Sequence, residues 1–264
     1  MLVSRNSIGV DTMSTWILLR GLTREKRHWG DFPDQLQQGM PGAQVIPLEL
    51  PGNGDLNALS SPTRIAEMAS GCREALARIG APPPYYLLAM SMGAMVATAW
   101  AQEHPDEIQA CVLINTSFGS FSPLHHRLRP RAWGTVLRIL LTPSPEVREQ
   151  LIFGLTTRLV IAKSQVVEAW AAIRRSRPVT PLNALRQILA AARFRAPASA
   201  SVPVLILTGA GDQLVDPYCS QEIARRWHCA IAMHTRAGHD LPLDDSAWVV
   251  AKVKEWVDLK GHTS

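Results

Sequence analysis

Short apolar runs alternate with longer stretches of helical periodicity along most of this chain. The runs at 16–19, 45–50, 85–90, 111–115, 204–208 and 230–233 are nearly continuous in aliphatic and aromatic residues, which predicts buried strands. Segments at 65–79, 93–103, 220–227 and 247–259 carry the spacing of helices. Strands covered on both faces lose the in–out alternation of a half-exposed sheet. The order therefore predicts an α/β domain: a mostly parallel central sheet flanked by helices.

The alternation breaks once. From about 122 to 195 there is no strand pattern, only helix-like segments punctuated by Pro123, Pro130, Pro143, Pro145, Pro178 and Pro181. Pro145 and Pro181 stand where a first helical turn has no use for the missing N–H. The expected organisation is a core of 13–121 and 196–264, interrupted by a helical cap at 122–195. Residues 1–12 read as a poorly ordered lead-in, and Met13 is an alternative start to Met1.

Composition narrows the class. Of 264 residues 47% are hydrophobic and 19% charged, which suits a globular chain and not a disordered one. No apolar run approaches the roughly 20 residues that span a bilayer. The stretch at 16–19 stops at Arg20, too short for a secretory signal, so a cytoplasmic protein without a membrane span is expected. Cys72, Cys111, Cys219 and Cys229 show no CxxC spacing and read as free thiols. The adjacent His125 and His126 point apart with no acidic partner at ligand spacing, so neither metal nor cofactor is expected.

Three segments carry candidate chemistry. Tyr85-Tyr86-Leu87-Leu88-Ala89-Met90-Ser91-Met92-Gly93 is an apolar strand followed by small-x-Ser-x-Gly, with an Ala- and Met-rich helix after it. A nucleophile elbow needs this layout, because the serine stands in a strained turn and its flanking positions must be small. Val204 to Asp212 is a strand, a Gly-rich turn and an acid; Met233 to His239 is a strand and a loop carrying a histidine. Ser91, Asp212 and His239 thus follow the ends of three strands in the order nucleophile, acid, base. Asp216 and Asp240 are alternative acids, but neither follows the Gly-rich turn directly. Gly52-Asn53-Gly54 lacks the GK[ST] or GxGxxG of a phosphate loop.

Over nearly its whole length the chain resembles the α/β-hydrolase superfamily. Leu50-Pro51-Gly52-Asn53-Gly54-Asp55 is similar to the loop after that family's third strand, Gly209-Ala210-Gly211-Asp212 to its acid loop, and Gly238-His239 to its histidine loop. Within the superfamily it is most similar to small capped carboxylesterases, including the carrier-protein methyl ester esterase of biotin synthesis. The resemblance implies a serine hydrolase acting on a small acyl substrate, with the backbone N–H groups of Leu22 and Met92 as the oxyanion hole. Where the family commonly has His-Gly after the first strand, this chain has Arg20-Gly21. Arg20 either holds the loop or faces the substrate; Trp29 either lines the pocket or packs a helix. Thioesters, lactones, amides and C–C bonds stay open as substrates, as does a non-catalytic binder on the same fold.

Charge is unevenly spread. Residues 122–200 hold twelve Arg and one Lys against three Glu, a net of +10, which leaves −5 for the rest of the +5 chain. A basic cap could steer an anionic substrate or an acidic carrier protein, or be an ordinary solvated surface. The densest cluster is Arg174, Arg175 and Arg177. No recognised motif points to nucleic acid.

Overall fold

The computed structural model describes residues 14–261, so the expected lead-in and the alternative start lie outside the described residues. Six strands form one all-parallel sheet: β1 (Thr15–Leu19), β2 (Gln44–Leu48), β3 (Tyr85–Met90), β4 (Ile108–Ile114), β5 (Val204–Gly209) and β6 (Ala230–His234). The spatial order is β2-β1-β3-β4-β5-β6. All six predicted strands are present. β2 ends at Leu48, two residues short of the apolar run, and its Pro47 is tolerated because β2 is an edge strand.

The sheet is covered as its composition requires. Every residue of β1 and β5 is buried. Ile17, Leu87, Leu113 and Ile206 face one side, where α2 (Ile65–Ile79), α3 (Met92–Glu103) and α9 (Pro217–Trp227) supply Met68, Trp100 and Ile223. Trp16, Leu88, Val112 and Leu207 face the other, against α1 (Phe32–Gly39) and α11 (Ser246–Gly261), which supply Leu36 and Val253. Burial of each large aliphatic side chain contributes about 1.5–3 kcal/mol, so these two layers supply most of the driving force.

Between β4 and β5 the chain forms five helices and no strand: α4 (Leu124–Arg127), α5 (Pro130–Leu141), α6 (Pro145–Thr156), α7 (Lys163–Ser176) and α8 (Pro181–Arg193). Three of them begin on a proline, and Ser144 and Thr180 cap α6 and α8 by accepting from the Val147 and Asn183 N–H groups. A short α10 (Leu241–Asp244) follows β6. Among the described residues no helix is long and apolar enough to cross a membrane.

Chain order and sheet order diverge between β1 and β3. The chain steps outward from β1 to β2, then returns across β1 to β3. Ligands of open parallel sheets bind beyond the carboxyl ends of strands at such a switch. The loop after β1 and the turn after β3 therefore meet where a site is expected.

Candidate active site

Ser91 occupies the turn between β3 and α3 with φ 55° and ψ −119°, a conformation that L-residues rarely adopt. Its N–H is held by the Ile114 carbonyl at 2.9 Å, and Thr116 Oγ1 donates to its carbonyl at 2.9 Å. The small neighbours are a steric requirement. A Cβ on Gly93 would lie 2.5 Å from the Leu19 carbonyl oxygen and 2.6 Å from that of Arg20. A Cβ on Gly21 would lie 3.1 Å from Ser91 Cβ. Absence of side chains at these two glycines lets the β1 loop lie directly against the serine.

That loop presents an N–H. Among the described residues neither the Leu22 nor the Met92 N–H donates to a protein acceptor. Met92 opens α3, so its N–H has no intrahelical partner. Both expected oxyanion donors are thus uncommitted, and the α3 N-terminus adds its partial positive charge.

The acid and histidine loops converge. Asp212, after β5, and His239, after β6, are both buried, with His239 Nδ1 2.7 Å from Asp212 Oδ2. The other Asp212 oxygen accepts from the Leu214 and Val215 N–H groups at 2.8 and 3.0 Å. A carboxylate only accepts, so it selects the tautomer with the proton on Nδ1 and leaves Nε2 able to act as a base. No hydrogen bond joins Ser91 Oγ to His239 Nε2 here; catalytic hydrogen bonds are often long before substrate binds.

The other acids are engaged elsewhere. Asp216 caps α9 through the Tyr218 N–H. Asp240 takes both terminal nitrogens of Arg20, at 3.1 and 2.6 Å. Burial opposes ionisation of Asp240, yet the Arg20 guanidinium holds its carboxyl below the usual range. The Arg20 guanidinium lies 4.7 Å over the Trp29 ring, and both residues are buried. Arg20 thus joins the β1 loop to the residue after His239, and Trp29 supports it from beneath. His28, beside them, is buried and its pKa is pushed well below the usual value, by desolvation first and then by Arg24 and Arg20.

Asn115 is a positioning residue that the strand pattern hid. Standing at φ 45° just past β4, its Nδ2 donates to the Gly238 and His239 carbonyls at 3.0 and 2.7 Å. Its Oδ1 accepts from Thr208 Oγ1 and the Gly209 N–H, both at 3.0 Å. One side chain thereby fixes the spacing of the acid and histidine strands. An Asn ending a buried apolar strand was the available signal, because Asn tolerates the left-handed region better than most residues.

The helices between β4 and β5 grip all three site loops. Arg129 Nη1 donates to the Asp212 carbonyl at 2.9 Å, and the Asp240 N–H to the Thr156 carbonyl at 2.8 Å. Glu149 of α6, 0% exposed, accepts from Arg24 of the β1 loop at 2.6 Å and from Arg174 of α7 at 2.5 Å. Gln187 of α8 accepts from the Thr23 N–H at 2.8 Å and donates to Asn53 Oδ1 at 2.8 Å. The cluster picked out by charge density is matched by acids: Arg174 by Glu149, Arg175 by Glu146 and Arg177 by Asp55. Among the described residues no group of His, Cys, Asp or Glu assembles that could hold a metal.

Comparison with known proteins agrees with this architecture. The structure is similar to a thermophilic esterase from Thermogutta terrifontis, with 19% identity, 93% of this chain and 89% of that one covered, and a TM-score of 0.73. It is likewise similar to the esterase RhEst1 from Rhodococcus sp. ECU1013, with 19% identity, coverage of 94% and 91%, and a TM-score of 0.73. An alpha/beta hydrolase fold protein from Chitinophaga pinensis follows, with 16% identity, coverage of 94% and 90%, and a TM-score of 0.71. At these identities the likeness is one of fold. No curated protein is matched by sequence. Residues 16–252 match the Alpha/beta hydrolase family, and the chain belongs to it.

Proposed function

We propose that this hydrolase cleaves carboxylic esters through an acyl-enzyme on Ser91. The observation that carries this reading is the buried Asp212–His239 pair at 2.7 Å, across the sheet ends from a serine held at positive φ. His239 Nε2 takes the Ser91 proton as Oγ bonds to the ester carbonyl carbon. The Leu22 and Met92 N–H groups hold the resulting oxyanion; one such donor is worth about 10²–10³ in kcat. As the tetrahedral intermediate collapses the ester C–O bond breaks, and His239 returns its proton to the departing alcohol. Water then repeats the sequence and releases the acid. The five helices act as a cap, a role supported by their hydrogen bonds to all three loops.

Arg20 in this reading is a positioning residue that keeps the β1 loop and the histidine loop in register. Support for an acidic carrier at Arg174, Arg175 and Arg177 is reduced, since each already faces a carboxylate.

A screen of esters and thioesters of varied acyl length, with Ser91→Ala and Asp212→Asn beside the unaltered protein, tests the proposal. Ester turnover should vanish in Ser91→Ala with the melting temperature retained. Asp212→Asn should lose on the order of 10⁴ in kcat, as the equivalent change does in serine proteases. Turnover that survives Ser91→Ala would contradict the acyl-enzyme.

A further inference from the structure

α8 is folded inside out. Its polar residues Asn183 and Gln187 face the core, Gln187 at 0% exposure, hydrogen-bonded to the 51–61 loop. Its apolar residues Leu182, Leu185, Ile188 and Leu189 face outward, the first two 59% and 60% exposed. α5 does the same on a second surface. Ala132 is its buried residue, while Trp133, Leu137, Leu140 and Leu141 are exposed, Leu141 at 74%. At 100° per residue those four span an arc of about 100°. Burying such faces against water-free surroundings is favourable, so their exposure calls for a partner.

Charge identifies the partner. The sequence has no Asp or Glu between Glu107 and Glu146, or between Glu168 and Asp212, so neither helix contains an acid. Arg131 and Arg138 stand beside the α5 stripe and Arg193 beside that of α8, and among the described residues none pairs with a carboxylate. A second copy of this chain docking through these faces would set arginine against arginine. A cleft of about 420 Å³ between α5 and α6 has Val147, Leu151 and Leu155 in its lining, with Arg138 and Lys163 as its cations. That combination suits an acyl chain beneath an anionic headgroup.

We infer that the outer faces of α5 and of α8 are each sites at which this protein docks onto an anionic lipid surface. The apolar faces enter the acyl boundary and the flanking arginines contact the headgroups. This inference does not rest on the hydrolase reading, because docking needs no chemistry at Ser91.

Flotation of the full chain with vesicles tests it. The protein should float with vesicles of equal parts phosphatidylglycerol and phosphatidylcholine, and far less with phosphatidylcholine alone. Binding should weaken from 0.1 M to 1 M salt, as the Debye length falls from about 10 Å to about 3 Å. The variants Trp133→Ser/Leu137→Ser/Leu141→Ser and Arg131→Gln/Arg138→Gln/Arg193→Gln should each lose roughly tenfold or more in partitioning. Single Leu141→Ser, at a 74% exposed site, should weaken binding without touching the fold. Ser91→Ala should bind as the unaltered protein does, and hydrolysis of a soluble ester should be unchanged in the surface variants. Absence of flotation, or flotation indifferent to these substitutions, would overturn the inference. So would a dimer that the same substitutions dissolve in a chain that ignores vesicles.

Discussion

At the scale of single residues, the site is held by buried charges whose partners are fixed. Arg20 and Asp240 are the test case. Asp240→Asn leaves a buried guanidinium without its counter-charge, which should cost about 3–5 kcal/mol in urea unfolding. Replacing both, as Arg20→Met/Asp240→Leu, should cost less than the single change. A smaller loss in Asp240→Asn than in the double variant would show the pair to be incidental. Glu49 gives a pH signature of the opposite sign to an ordinary ion pair. Burial, with Glu25 adding to it, raises its carboxyl to about 7, while its Oε1 lacks a hydrogen bond. The folded state then binds a proton that the unfolded chain has released, so Glu49's contribution to stability falls as pH climbs from about 4.5 to about 7 and is flat above. Glu49→Gln should accordingly unfold like the unaltered protein near pH 5. Above pH 7 it should be more stable, by roughly 1–3 kcal/mol. An equal gain at both pH values would assign the effect to packing.

At the scale of elements, the sequence made the sheet legible and concealed its clamps. Strands β1, β3, β4 and β5 are buried on both faces, so their composition alone betrays them. The elbow was legible for a steric reason, since Gly93 cannot carry a side chain between α3 and β1. Gly93→Ala should therefore cost about 1–3 kcal/mol or more and reduce ester turnover with it. Gly134→Ala, in open space on α5, should instead gain about 0.5–1 kcal/mol from helix propensity. Equal thermal shifts in the two variants would contradict the close approach. What stayed hidden is tertiary. Asn115 looks like any strand-ending polar residue until Gly209 and His239 are brought to it. Arg174 and Arg175 pair with Glu149 and Glu146 inside the counted segment, which a net charge does not reveal, and Arg177 pairs with Asp55, 122 positions away and outside it. α8 defeats the ordinary rule of amphipathic helices, because its polar face is the one turned to the core.

At the scale of the whole molecule, the sheet and the helical segment form one device. The sheet sets the serine, acid and histidine loops at the carboxyl ends of β3, β5 and β6, and residues between β4 and β5 bind the β1, acid and histidine loops by separate hydrogen bonds. The outer apolar faces of α5 and α8 are then free for a surface, while Gln187 on the inner face of α8 holds the β1 loop. The account depends above all on Ser91 being a nucleophile activated through His239. Labelling of the folded protein with a fluorophosphonate, followed by mass mapping of the adduct, measures that directly. The account predicts a single adduct on the peptide containing Ser91, slowed by orders of magnitude in His239→Ala and absent in Ser91→Ala. A folded protein that takes no label at Ser91, or takes it equally fast without His239, would contradict it.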